Sequence, residues 1–79
     1  PPSNEEALKW YRQAADQNFS DGAYYLAEMY EEGKGVGQND EEAFKWYLAA
    51  AKSIDDISGD GALYKLADMY KHGRGVSQL

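Results

Sequence analysis

Only a few side chains in this 79-residue chain could do chemistry. Two acid pairs, Glu5/Glu6 and Glu41/Glu42, have the composition of a two-carboxylate acid–base site. Each pair starts two residues after a capping Ser3 or Asn39 and opens a helical pattern, where carboxylates complement the helix dipole and the cap. Capping therefore explains them without catalysis. His72 is the single histidine, and no cysteine exists to share a metal with it. It reads as a surface residue at a helix end, with Glu32 as a conceivable partner in a neighbouring unit. Asp55-Asp56 lacks the alternating acids and closing glutamate of a calcium loop. Gly33-Lys34-Gly35 and Gly73-Arg74-Gly75 lack the strand, the further glycine and the Lys-Ser/Thr of a phosphate loop, and so predict turns. The serines have no His/Asp companions. Nothing here implies catalysis, a cofactor or a metal.

The aromatic residues are more regular. Trp10-Tyr11 and Trp46-Tyr47 could form a ligand box, yet each pair lies on an apolar stripe at helical spacing. Ala7, Trp10, Tyr11, Ala14 and Ala15 fall at i, i+3, i+4, i+7 and i+8, as do Ala43, Trp46, Tyr47, Ala50 and Ala51. Packing in a core is the expected role of all four aromatics.

These stripes belong to an internal repeat. Asn4–Ala15 and Asp40–Ala51 are identical at 8 of 12 positions with an offset of 36, and Gly22–Val36 and Ala62–Val76 at 8 of 15 with an offset of 40. Four helices follow: residues 3–17, about 21–32, a third capped by Asn39, and about 60–72. Gly22, Leu26, Met29 and Tyr30, with Ala23 and Ala27 beside them, form the apolar face of the second. Phe19 is the apolar anchor of the first connection, and Val36 is placed to tuck beneath the helix pair. Leu8, Phe44 and Leu48 are expected between successive units. The offsets differ by four (40 − 36), which places an insertion in Lys52–Gly59, with Ile54 and Ile57 pinning that loop.

Leu26-Ala27-Glu28-Met29-Tyr30, then Gly33-Lys34-Gly35-Val36, an acidic cap, Trp46-Tyr47 and Ala50-Ala51 together resemble the Sel-one-like repeat, a relative of the tetratricopeptide repeat. The resemblance covers nearly the whole chain. It departs at Ala27 and Ala67, where the family usually has glycine, and in the longer second loop. It implies an all-α fold, an α/α superhelix of antiparallel helix pairs, right-handed, with the first helix of each unit on the concave side. In the family's phasing, residues 3–17 are the back helix of a preceding repeat, 20–52 one complete repeat, and 60–76 the front helix of a following one. The whole of 1–79 is then a single fragment of an array.

The resemblance also implies a protein-interaction scaffold rather than an enzyme. The other reading is a regulatory or substrate-recruiting segment of a larger enzyme whose active site lies outside this chain. A third is a segment that only spaces other domains. On the front helices the residues free to vary are Tyr25, Glu28 and Glu32, matched by Lys65, Asp68 and His72. Each trio is spaced i, i+3, i+7 on one face. These six are the candidate partner-binding residues, with Tyr25 as an aromatic anchor among acids. A net charge of −6, from 14 acids and 8 bases, favours a basic peptide or protein and disfavours nucleic acid and anionic membrane. No apolar run approaches the length of a membrane span and no signal peptide opens the chain, although a start at Pro1-Pro2 reads as a piece of a longer protein. Apolar faces left at the two ends predict modest stability or end-to-end self-association.

Overall fold

A computed structural model describes residues 3–52 and 57–76, and only the backbone of 57–60. The helices are α1 (Asn4–Asp16), α2 (Ser20–Glu32), α3 (Asp40–Ala51) and α4 (Ile57–His72). There is no strand among the described residues.

The helix starts follow their capping residues. The Ser3 hydroxyl accepts from the Glu6 amide at 3.4 Å, and Asn39 Oδ1 accepts from the Glu42 amide at 3.1 Å. Each satisfies a backbone donor that the helix itself cannot. The end of α2 is a left-handed glycine: Gly33 has φ 70° and ψ 38°, and the Lys34 amide closes onto the Met29 carbonyl at 2.9 Å. The end of α4 repeats this, with Gly73 at φ 65° and the Arg74 amide on the Met69 carbonyl at 2.9 Å.

The second glycine of each turn has a different task. Gly35 has φ 73°, and a Cβ there would lie 2.7 Å from the Asn4 carbonyl oxygen, at the start of α1. A Cβ on Gly75 would likewise strike the Asp40 carbonyl, at the start of α3. The end of α2 therefore lies on the start of α1, and the end of α4 on the start of α3. That makes both pairs antiparallel. The Asn39 amide donates to the Tyr30 carbonyl at 2.9 Å, joining the end of α2 to the start of α3. Consecutive helices pack on one another, and α2 also touches α4, whereas α1 touches only α2 among the described residues.

The core runs through the middle of the stack. Leu26, Ala27, Ala43, Tyr47, Ala50, Ala62 and Met69 are fully buried, joined by Ala23, Met29 and Tyr30. Leu8, Phe44, Val36 and Trp46 pack against it, as their positions predict.

Several expectations are corrected. Trp10 is 59% exposed, although Trp46 at the equivalent position is half-buried. The difference is the neighbourhood: α3 has a helix on both sides, and α1 on one. Phe19 is 58% exposed, so its side chain does not anchor the connection; its backbone does, the amide donating to the Ala14 carbonyl at 3.0 Å and the carbonyl accepting from the Ala23 amide at 3.2 Å. Leu48 is 44% exposed, not buried between units. The fourth helix starts at Ile57 rather than near 60, so part of the inserted stretch is helical. Ile54, Asp55 and Asp56 lie outside the described residues, as does the side chain of Ile57.

Candidate interaction face

Helices α2 and α4 touch along part of their length. Tyr24 of α2 lies against Gly61 of α4, where an added Cβ would be 3.2 Å from the ring. One turn further along α4, Lys65 Nζ approaches Glu31 Oε1 at 3.7 Å.

Glu31 gathers three helices and a turn. Its Oε1 accepts the Tyr47 hydroxyl at 2.7 Å, and its Oε2 pairs with Arg74 at 3.1 Å. Arg74 also meets Asp40 Oδ1 at 3.3 Å. The Glu31 side chain keeps only 12% of its surface exposed. Burial, then the hydrogen bond to Glu31, pushes the Tyr47 phenol far above its ordinary range, so it remains a donor. The hydrogen bond to Asp40 holds the Arg74 guanidinium above its ordinary value, keeping it charged.

The six predicted residues divide into smaller groups. Tyr25 is 44% exposed, but one face of its ring is occupied: it stacks on Tyr11 of α1 at 5.2 Å and 28°. Tyr24 meets Tyr25 edge-on at 5.7 Å and Tyr47 at 5.5 Å, so four tyrosines form a row across three helices. Glu28 is half-buried beside Lys65. Burial pushes its carboxyl above the ordinary value; Lys65 pulls it back, and Glu32 and Glu31 push it up again. Glu32 pairs with Lys34 at 3.2 Å in its own turn. His72 Nδ1 lies 3.3 Å from Asp68 Oδ1, one turn back on its own helix, so it does not pair with Glu32. Of the six, Lys65 reaches across from α4 to α2, where it meets Glu31, while the Glu32 and His72 pairings stay local.

Sequence reasoning missed Glu31, Tyr24 and Arg74. A signal was present for one of them, since both glycine turns carry a cation between the glycines, Lys34 and Arg74. Among the described residues no group of three His, Cys, Asp or Glu is arranged to hold a metal ion, and no helix is long and apolar enough to cross a membrane. A cleft of about 290 Å³ between Phe19, Ala23 and Lys52 lies among none of the six candidates.

The model of the Sel1 repeat matches residues 1–19, 20–55 and 61–78. The chain belongs to the Sel1 repeat family. A crystal structure of a Sel1 repeat protein from Oxalobacter formigenes superposes with a TM-score of 0.87 at 32% identity, over 98% of this chain and 30% of that one. The all-α helical-repeat solenoid implied by the sequence is therefore the fold. An exopolysaccharide production negative regulator of Rhizobium leguminosarum bv. viciae is 46% identical over 48 residues, 61% of this chain and 18% of that protein. Chitin synthase regulatory factor 3 of Schizosaccharomyces pombe is 38% identical over 52 residues, 66% of this chain and 6% of that protein. This Sel1 repeat chain thus spans less than a fifth of either curated relative.

Proposed function

We propose that this chain is an adaptor that holds a peptide or protein partner on the concave side of its repeat array, without catalysis of its own. The partner meets Tyr25, Glu28 and Glu32 of α2 and Lys65, Asp68 and His72 of α4. The observation that carries this reading is the exposed part of Tyr25, stacked on Tyr11 on one ring face and on the same helix as Glu28 and Glu32. A preorganised aromatic gives contact area at low entropic cost. With a chain charge of −6, the favoured partner segment is basic, its cations approaching Glu28 and Glu32. The names of the relatives, one a regulator of exopolysaccharide production and another a chitin synthase regulatory factor, support a regulatory use.

The test is site-directed photocrosslinking in the full-length parent, with a benzophenone side chain at position 25 or at the exposed Gln13 of α1. Crosslinks to one protein from position 25 but not 13, reduced tenfold or more by Glu28→Gln with Glu32→Gln, are expected. Equal yields from both positions would overturn the reading.

A further inference from the structure

One repeat position stays open whichever neighbour it has. On α2 it holds Glu28, and on α4, 40 residues on, Asp68. Tyr24 and Glu31, either side of Glu28, meet Gly61 and Lys65 of α4. Glu28 is nevertheless only half-buried, with the following helix in place. Asp68 keeps 43% of its side-chain surface with the preceding helix, α2, in place. The opening at this position therefore does not depend on where the stack stops.

The charge there is of one sign and incompletely matched. Among the described residues no cation pairs directly with Glu28, because Lys65 pairs with Glu31 and Lys34 with Glu32. Burial disfavours the charged form of Glu28, and Glu32 and Glu31 add like charge beside it, so the carboxylate gains from a cation brought close. Asp68 has only the ion pair with His72 of its own helix, which is charged only when protonated.

Packing sets the distance between the two carboxylates. Gly61 faces Tyr24 although its own equivalent is Asp21, and Lys65 faces Glu31 although its equivalent is Tyr25. So α4 is displaced along α2 by about one turn, ~5.4 Å. With neighbouring helices about 8–10 Å apart, the two positions lie roughly 10 Å from each other. A polyproline II segment rises ~3.1 Å per residue with about three residues per turn, so its side chains at i and i+3 share a face about 9 Å apart. Because α2 and α4 touch, no trough is left between them for a partner helix about 10–12 Å across.

We propose that the partner segment is a polyproline II stretch carrying Lys or Arg at i and i+3, one cation on Glu28 and the next on Asp68. This rests on the adaptor reading above and gives its partner a sequence pattern. A segment already extended also loses little entropy on docking.

NMR titration of the 79-residue chain with short peptides tests this. Each peptide carries two arginines in a proline-rich background, at i and i+2, i+3, i+4 or i+5, with equal net charge. The i,i+3 peptide is expected to bind at least fivefold more tightly than the others, to shift the amides of residues 28 and 68, and to weaken with salt. Glu28→Gln and Asp68→Asn should each weaken it at least fivefold and abolish the spacing preference. Asp16→Asn, the same change in charge at the exposed end of α1, should leave it within twofold. Asp68→Lys should move the preference to a peptide with Arg and Glu three residues apart, a gain that misfolding cannot imitate. Equal affinity at every spacing, an equal loss in Asp16→Asn, or no shift at residues 28 and 68 with millimolar i,i+3 peptide would each overturn the proposal. Crosslinking from position 25 would still decide the adaptor reading separately.

Discussion

The Tyr47 hydroxyl donates to Glu31 Oε1 at 2.7 Å, and this bond crosses from α3 to α2. The same carboxylate meets Lys65 of α4 and Arg74 of the final turn, so α2, α3, α4 and that turn share one anion. Removing it leaves a buried phenol without its acceptor and takes one carboxylate from Lys65 and Arg74, Arg74 keeping its pairing with Asp40.

Glu31→Leu is therefore expected to cost about 1–3 kcal/mol, the penalty of unsatisfied polar groups. Tyr47→Phe should cost less, because the carboxylate keeps its two cations. In a double-mutant cycle the pair should couple by roughly 0.5–3 kcal/mol. Urea unfolding of the four proteins measures this, and additive effects would show that the bond contributes nothing beyond its separate groups.

Gly35→Ala and Gly75→Ala should each destabilise by roughly 1–2 kcal/mol or more, since a left-handed backbone penalises a Cβ even before it meets the next helix. Gly37 serves as the control, because a Cβ there has nothing within 4 Å. Gly37→Ala should stay within about 0.5 kcal/mol of the wild type. A thermal melt separates them, at about 4–8 °C per kcal/mol for a domain of this size.

The Glu28 carboxyl gives a pH dependence. Burial raises its value in the folded chain above the ordinary 4.5, so the folded state holds the proton more tightly than the unfolded. The stability it contributes is complete below 4.5 and is lost as pH rises through the folded value. Glu28→Gln should therefore match or exceed the wild type in stability at pH 7, and the advantage should shrink on acidification to pH 4. Denaturant melts at the two pH values measure it; a variant less stable at pH 7 by the same margin as at pH 4 would refute the sign.

The stripes and turns were legible because they depend on local spacing. Ser3, Asn39, Gly33 and Gly73 act as their positions predict, and Leu26, Met29 and Tyr47 are buried. Exposure at the ends of the stack was not legible. Trp10 and Trp46 have the same local sequence, and only the number of neighbouring helices separates them. Glu31 was hidden for a related reason: the equivalent residue is Lys71, so the repeat gave it no recurring identity, and its partners come from three other segments. The start of α4 was misplaced because Ile57-Ser58-Gly59 was read as inserted loop, whereas the backbone there is already helical.

The contact of Gly35 with the Asn4 carbonyl, repeated by Gly75 at Asp40, involves main chain on both sides. A spacing held by main chain is indifferent to what the neighbouring side chains become. The helices can therefore exchange their outward residues, as between the exposed Glu32 and His72, while the pitch of the stack stays the same. Curvature and recognition are thereby separable properties of this protein, and a new binding surface can be written onto it without redrawing its frame.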